Sequence, residues 1–192
     1  VAPVRLVLTQ GDLSDPSVVQ SCLASITSTL GVPYAVLHLA GPFIRKPLIE
    51  HTHTEFLEQI NGHLVSFFEI CRAIIPLMQL AQSGRIIAFG MAGADRAIPM
   101  RKLGAHLAAK SGVIALAKTL ALEEARHGIT VNVVNPGRID EKTLTREEAR
   151  LRPAGGSYPA GHPGSFEDLA DAIIFLLSPS ASYITGAVLD VT

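Results

Sequence analysis

The residues best suited to chemistry by their type and separation are His106 and Lys110, which lie four positions apart in a stretch with helical periodicity. That spacing places the imidazole and the ammonium group one helical turn apart on one face. An imidazole with an ordinary pKa of about 6.5 exchanges protons near neutral pH. A cation one turn away favours the neutral ring, so the pair predicts a polar site whose histidine is a poor cationic acid.

The composition is that of a chain that folds around an apolar core. The 192 residues are 48% hydrophobic and 17% charged, with a net charge of -1 and a mean hydropathy of +0.34. This length fits a single domain over residues 1–192. Without a basic excess, no nucleic-acid partner is expected. No uninterrupted apolar run approaches the roughly 20 residues that span a bilayer, so no membrane partner is expected either.

Two features indicate where the protein works. Cys22 and Cys71 are isolated thiols within helical patterns, which is typical of a reducing compartment and of core packing. The segment Val1-Ala2-Pro3 has neither the charge nor the apolar stretch of a signal peptide. We therefore expect a cytoplasmic location.

Strand-like and helix-like patterns alternate along the chain. The predicted strands cover 4–8, 34–39, 85–89, 129–134 and 187–191. The predicted helices cover 16–30, 55–79 behind a Thr54 cap, about 100–127, and 166–177 behind a Ser165 cap. Pro76 is expected to kink or end the second helix. The alternation predicts an α/β fold with a parallel sheet, right-handed crossovers and helices on both faces.

The expected site lies beyond the carboxyl ends of the strands, in the loops after Leu39, Phe89 and Val134. The stretch 136–164 shows no clear periodicity and is rich in Pro and Gly. A loop of that length is usually a functional lid or disordered, so we interpret it as a flexible substrate loop.

Several segments resemble the short-chain dehydrogenase/reductase family, in order and over nearly the whole chain. They are Gly11–Asp15, His38-Leu39-Ala40-Gly41 (for the family's Asn-Asn-Ala-Gly), Gly84–Ile87, His106–Gly112 (for Tyr-x-x-x-Lys), Gly128–Asn132 with Pro136-Gly137, and Tyr183–Gly186. The resemblance implies a Rossmann-like, doubly wound parallel sheet. It also implies an NAD(P)(H)-dependent oxidoreductase that acts on a carbonyl or alcohol substrate, whose identity the sequence does not reveal.

The same resemblance implies a set of cofactor contacts. Asp12 and Leu13 would lie against adenine, Lys110 against ribose, and the Ala40-Gly41 and Pro136-Gly137 turns along the dinucleotide. Each has a plainer interpretation. Asp12 can cap a turn, Lys110 can be a solvated helix charge, and Pro136-Gly137 together with Asn132 can simply shape the end of a strand.

The family's catalytic tetrad of Ser, Tyr, Lys and Asn is matched in type only by Lys110. Met91 stands at the Ser position, His106 at the Tyr position and His63 at the Asn position. A thioether donates no hydrogen bond, and an imidazole is roughly 2 Å shorter than a phenol, where a misplacement of about 1 Å costs about 100-fold. Ordinary family catalysis is therefore expected to be lost, with Met91 as packing and His106 as a polar residue that lines the pocket.

The family also begins with a strand, a Gly-rich phosphate loop, a helix and a second strand, which this sequence does not show before its first predicted strand. NAD(P) binding is therefore in doubt, and the choice between NADH and NADPH cannot be read. In the family's sheet order, two strands lie between the first and second strands predicted here. We expect that a segment of the protein precedes Val1, or that the first strand is displaced.

Two alternatives to the oxidoreductase remain open. One is a non-catalytic ligand-binding or oligomeric scaffold, since the family forms homodimers or homotetramers through the helices predicted at 55–79 and 100–127. Gly104, Ala105, Ala108, Ala109, Gly112 and Ala115 are small enough for close helix packing. The weaker alternative is a metal site, because His38, His63 and His106 fall at positions that the family clusters, and three imidazoles can ligate Zn²⁺. No carboxylate partner for these rings is evident from spacing, so no metal is assigned.

Overall fold

A parallel sheet forms the centre of the molecule. The computed structural model describes residues 5–139, 145–152, 158 and 160–192. Within these ranges four strands pair in the order β1 (Ala35–His38), β2 (Gly84–Phe89), β3 (Ile129–Pro136) and β4 (Val188–Val191), every pair being parallel. The predicted Rossmann-like α/β fold is confirmed, and these strands begin and end within two residues of the predicted limits.

Helices cover both faces of this sheet. They are α1 (Pro16–Leu30), α2 (His53–Ile60), a π-helical turn (Asn61–Val65), α3 (Ser66–Ala81), α4 (Gly104–Glu124), α5 (Arg146–Arg150) and α6 (Phe166–Leu177). On one face α3 and α4 bury Phe67, Ile74 and Val113 against Ile86 and Ile129. On the other face α6 buries Leu169 and Leu176 against Ile87 and Val134. Because successive residues of a strand face opposite sides, β2 and β3 contribute to both cores.

The strand predicted at 4–8 is wrong for the described residues. Residues 5–8 form no ladder, and Leu6 and Leu8 are 75% and 84% exposed. β1 pairs with β2 alone among the described strands, so this segment has no neighbour along which to hydrogen-bond. A β-branched run becomes a strand only where such a neighbour satisfies its backbone.

The second helix begins earlier than predicted and continues past Pro76. Its cap is Thr52 rather than Thr54, because Thr52 accepts from the Glu55 backbone N–H while the Glu55 carboxylate accepts from the Thr52 N–H. This capping box satisfies two otherwise unpaired donors. Pro76 lies inside α3, which runs on to Ala81 and buries Met78 completely. Burial of that last turn offsets the backbone bond that the proline cannot make.

Two further boundaries differ from the sequence-based prediction. Helix α4 begins at Gly104 rather than near Met100, because Lys102 adopts a left-handed φ of 66° that a helix excludes. The stretch 136–164 contains α5 and a parallel bridge between Ile139 and Gly164, so its described part is not structureless. Residues 140–144, 153–157 and 159 lie outside the described ranges, and the flexibility predicted there stays a prediction.

The expectation that no apolar segment could span a bilayer was based on uninterrupted apolar runs. Two helical stretches, His53–Ala81 and Gly104–His127, are long and apolar enough by length and composition alone. Both form the layer over the sheet and supply its core residues, including Phe67 and Val113. A core helix meets the same criterion, so the criterion is weak evidence for a membrane.

Candidate active site

A cavity of about 610 Å³ opens beyond the carboxyl ends of β2, β3 and β4. Met91, just after β2, and the Pro136-Gly137 turn at the end of β3 line it. This is the predicted place for a ligand in an open parallel sheet, because helix N-termini and loops converge at that edge. Phe43, from the loop after β1, and Leu103, just before α4, close its sides.

The π-helical turn Asn61–Val65 inserts His63 beneath the loop that follows β1. His63 Nδ1 lies 3.1 Å from the carbonyl oxygen of Ala40, and Nε2 lies 2.8 Å from that of Pro42. A Cβ on Gly41, whose φ is 133°, would lie 1.9 Å from His63 Nδ1. Glycine is therefore required at position 41 by both the backbone conformation and the close approach of the ring.

Both ring nitrogens of His63 face acceptors, yet the environment disfavours its charged form. Burial lowers the pKa of His63 and the Lys110 charge lowers it further, while the contacts to Pro42 and Ala40 act in the opposite direction. A neutral ring donates from one nitrogen only, so one carbonyl contact is left without a proton. His63 is thus a ring clamped between two backbone oxygens, with neither nitrogen free for substrate.

His106 is held by Gln59, a fully buried residue of α2. In the amide orientation that satisfies every group, Gln59 Nε2 donates to His106 Nδ1 and to the Pro42 carbonyl, both at 3.1 Å. Gln59 Oε1 then accepts from the Ile44 N–H at 2.8 Å. An imidazole that accepts at Nδ1 carries its proton on Nε2. Burial lowers the pKa of His106 to about 4, and the His63 and Lys110 charges act in the same direction.

The Lys110 ammonium donates to the carbonyl oxygen of Phe89 at 2.7 Å, at the end of β2. Burial lowers the pKa of Lys110 to about 8. The side chain is therefore not the solvated helix charge of the plainer interpretation. Its charge lies close enough to lower the pKa of His38, His63 and His106, which makes it the electrostatic centre of the cluster.

His38 closes the back of the site. Ser66 Oγ donates to the Gly62 carbonyl at 2.6 Å and accepts from His38 Nε2 at 2.8 Å. The His38 Nδ1 atom is buried and has no hydrogen-bond partner in the described structure. Burial lowers the pKa of His38 to about 4, with Lys110 and His63 contributing. A second proton at Nδ1 would be a buried donor without an acceptor, which also favours the neutral ring.

The three histidines do not form a metal centre in the described structure. No group of three or more His, Cys, Asp or Glu side chains within the described ranges could hold a metal ion. The ring nitrogens instead face Ser66, backbone carbonyls and Gln59. The clustering expected from sequence is confirmed for His63 and His106, whose ring centroids lie 4.9 Å apart.

Comparison with known proteins gives the family. A model of the family described as enoyl-(acyl carrier protein) reductase matches residues 2–192. The chain is 36% identical over 192 residues to YtkK of Bacillus subtilis, named as an oxidoreductase, covering 98% of this chain and 75% of YtkK. It is 35% identical to the 3-oxoacyl-[acyl-carrier-protein] reductase FabG of Salmonella typhimurium, over 94% of this chain and 73% of FabG. This chain belongs to the short-chain dehydrogenase/reductase family.

A solved structure supports the assignment. A Bacillus thuringiensis protein described as a 3-oxoacyl-reductase superposes with a TM-score of 0.88 and 34% identity, covering 96% of this chain and 75% of that one. The chain thus spans about three quarters of the length of these relatives. Fold and family are established together, and the family is one of oxidoreductases.

The tetrad positions of the family can now be compared with the geometry. Met91 is half-buried, packs against the main core and lines the cavity, so its role as packing is consistent with the structure. Lys110 and His106 lie on α4 as the resemblance implied, and His63 lies in the π-helical turn. Where the family has a hydroxyl donor and a phenol, this chain presents a thioether and a neutral imidazole.

The nicotinamide half of the implied NAD(P) site fits the residues present. Pro136 and Gly137 line the cavity beside Met91, and the Gly137 N–H is fixed by the Val191 carbonyl at 2.7 Å. A Cβ on Gly137 would lie 2.6 Å from the Thr192 Cα, so the close turn requires glycine. Lys110 offers the only ammonium group that the described structure places in this cluster.

The adenine half rests on fewer contacts. Asp12 is exposed, and its Oδ1 accepts from the Ser14 N–H and hydroxyl, both at 2.8 Å, so it caps its own turn. Leu13 lines a separate apolar pocket with Val19 and Cys22. Asn132 holds the Ile184 carbonyl and the Ala187 N–H through its amide, which is the plainer structural role.

Sequence reasoning missed Gln59 and Ser66, the residues that fix the histidines. Gln59 precedes His63 by four positions and so shares its helix face, which is a signal that could have been used. Ser66 follows His63 by three positions on the same helix. Their partners His106 and His38 lie far away in sequence, so neither pair was readable from local spacing.

Proposed function

We propose that this chain binds a nicotinamide dinucleotide, NAD(P)(H), and an apolar carbonyl or alcohol compound in the family's cleft, without the family's rapid proton-coupled hydride transfer. The observation that carries the proposal is His106, buried, accepting at Nδ1 from Gln59, and neutral near pH 7. NAD(P)H supplies a hydride when bound. The chain's own residues must then bind the carbonyl oxygen and deliver its proton.

The described residues are poorly suited to that proton delivery. Met91 cannot donate a hydrogen bond to the substrate oxygen, and loss of one such donor typically costs about 100- to 1,000-fold. A neutral imidazole N–H is a much weaker acid than the phenol it replaces. Lys110 can still bind ribose and can favour negative charge on a neighbouring oxygen. These losses need not be additive, but each slows the same step.

Restoration of the family residues tests the proposal. We expect wild-type protein to oxidise NADPH at background rates with a panel of ketones and aldehydes. The variant Met91→Ser with His106→Tyr and His63→Asn should exceed wild type by at least about 100-fold, the value of one restored donor. Adding Lys110→Met to that variant should abolish the gain. Equal rates in the wild type and the restored variant would contradict the proposal, provided that thermal unfolding shows both proteins to be folded.

A second candidate is a slow oxidoreductase that uses His106 Nε2–H to polarise the carbonyl without protonating it. The Gln59 contact favours it, because that contact places the proton on Nε2. His106→Gln keeps an N–H donor and His106→Phe removes it. If wild type shows a measurable rate that His106→Gln retains and His106→Phe loses, this second function is supported. Equal rates in the two variants would exclude it.

We also propose that the chain forms a homodimer or homotetramer through His53–Ala81 and α4. Ala105 and Ala109 are buried inside the subunit, but Leu122 is 83% exposed on the outer face of α4. Leu80 and Phe68, on α3, are also exposed. Light scattering of Leu122→Arg should show dissociation, whereas Leu151→Arg, exposed outside these helices, should not.

The free thiols Cys22 and Cys71 support a cytoplasmic location.

A further inference from the structure

The walls of the 610 Å³ cavity are largely apolar. Phe43, Met91, Met100, Leu103 and Ile139 line it, from four different segments of the chain. Burial of an apolar ligand against such walls is favourable in proportion to the apolar surface removed from water. The cavity therefore favours a hydrocarbon or aromatic body rather than a sugar or a small polar molecule.

Two guanidinium groups lie at the same cavity. Arg45, from the loop after β1, and Arg138, after β3, both line it and are exposed at its rim. Neither forms an ion pair with any carboxylate of the described chain. No Asp or Glu is among the described residues that line this cavity. Its rim thus carries positive charge that no described protein group neutralises.

The Arg138 side chain and the residue next to Arg45 are each held by a described contact. The Arg138 guanidinium lies 5.4 Å from the centroid of the Tyr158 ring, a cation–π contact at the cavity wall. Lys46, next to Arg45, pairs with Glu55, which also closes the Thr52 capping box. The loop that carries Phe43 and Arg45 is therefore anchored to the start of α2. Guanidinium groups bind carboxylates and phosphates in a bidentate manner.

We propose that this cavity binds a ligand with an apolar tail and a terminal anionic group, whose anion pairs with Arg45 and Arg138. The proposal deepens the proposed function, since it assigns a ligand class to the same cleft. The shared chemistry is an oxyanion on a hydrocarbon body. A free carboxylic acid and a phosphate monoester both supply it, and binding measurements separate them.

Calorimetric titration of the full chain with three probes of equal tail length tests the proposal: sodium decanoate, decyl phosphate and 1-decanol, each below its aggregation concentration. We expect at least one anion to bind about ten-fold more tightly than decanol. Tighter decanoate would identify a carboxylic acid as the ligand, and tighter decyl phosphate a phosphate monoester. Decanol binding as tightly as both anions, or no binding of any probe, would overturn the proposal.

The arginines are tested by neutral variants of similar size. Arg45→Gln and Arg138→Gln should each weaken binding of the preferred anion about five-fold or more and leave decanol binding unchanged. Arg126→Gln, an exposed arginine outside the cavity, is the matched control. Unchanged anion affinity in both rim variants would overturn the assignment. If the variants fail to fold, raising the salt concentration on wild type must weaken the anions selectively.

Failure of this ligand proposal can be distinguished from failure of the proposed function. Decanol equal to the anions removes the anion preference but leaves an apolar ligand and NADPH binding intact. Rapid carbonyl reduction by wild type, with the anion preference retained, instead removes the non-catalytic proposal and leaves the rim arginines as substrate contacts. An unchanged NADPH-induced thermal shift in the same rim variants would show that cofactor binding is independent of Arg45 and Arg138.

Discussion

The imidazole of His106 meets that of His63 edge to face, with ring centroids 4.9 Å apart and planes inclined at 84°. The two rings occupy the positions where the family has its Tyr and its Asn. Because both are buried beside Lys110, each is more stable neutral than charged. At these two positions the site therefore holds a packed pair of rings whose partners are Gln59 and backbone oxygens.

The buried histidine rings predict that the stability of the protein depends on pH. In the folded protein the pKa of His38 and of His106 is about 4, below the ordinary value of 6.5. Between these two values the unfolded chain therefore binds more protons than the folded protein. The stability that the neutral histidines contribute is complete only above pH 6.5 and is lost as the pH falls toward 4. We expect the free energy of unfolding to fall by about 1–3 kcal/mol from pH 7 to pH 5, measured by urea titration.

Variants identify the groups responsible. His38→Asn combined with His106→Tyr should remove most of the pH dependence between 5 and 7. His53→Gln, which replaces an exposed histidine at the start of α2, should leave it unchanged. A double variant that keeps the wild-type slope would show that these rings titrate alike in the folded and unfolded chain.

The hydrogen bonds of Gln59 are predicted to contribute strongly to the stability of the site. Gln59→Leu keeps the volume but leaves the Ile44 N–H and His106 Nδ1 without their partner, and leaves the Pro42 carbonyl with His63 alone. A buried group that loses its hydrogen bond costs about 1–3 kcal/mol, so we expect a loss of roughly 2–5 kcal/mol in chemical denaturation. Gln20→Leu, at an exposed position of α1, should change stability by less than about 0.5 kcal/mol.

The contrast between fold and site shows what local patterns can predict. Ser165 and Asp168 form the capping box of α6 within four residues, and Pro16 begins α1 where its missing N–H is harmless. Such signals are local, so the helices and the parallel sheet were predicted. Thr52 was missed although Glu55 follows it by three residues, because Thr54 also fits a cap.

Contacts between residues that are far apart in the sequence could not be predicted from local sequence patterns. The stretch 4–8 has strand propensity, but a strand needs a paired neighbour, which no local sequence shows. His106 depends on Gln59 from another helix, and Arg45 and Arg138 line one cavity from loops that are far apart in sequence. The family resemblance located the tetrad positions, whereas the protonation of the rings follows from burial and from Lys110.

Lys110 is predicted to impair stability while serving binding. Its ammonium is desolvated, which lowers its pKa to about 8, and within the described residues it donates to one carbonyl, that of Phe89. Lys110→Met removes the buried charge and keeps the aliphatic stem, so stability at pH 7 should be unchanged or higher by about 1 kcal/mol. The thermal shift produced by saturating NADPH should fall to near zero if Lys110 contacts the ribose.

The matched control for this change is Lys118→Met, an exposed position two turns further along α4. It should leave both the stability and the NADPH shift unchanged. A full NADPH shift in Lys110→Met would place the nucleotide elsewhere. A large loss of stability would show that the Lys110–Phe89 bond holds α4 to the end of β2.

Gly41 allows a last prediction, in which two physical terms can be separated. Gly41→Ala adds a methyl group 1.9 Å from His63 Nδ1, at a φ of 133°. Gly31→Ala faces open space at a φ of 86° and a ψ of -174°, and so carries only the conformational cost of about 1–3 kcal/mol. We expect Gly41→Ala to cost at least about 2 kcal/mol more than Gly31→Ala in urea unfolding, because the ring must move. Combining Gly41→Ala with His63→Ala should recover that excess, and additive losses in this double-mutant cycle would show that His63 does not fix the Gly41 turn.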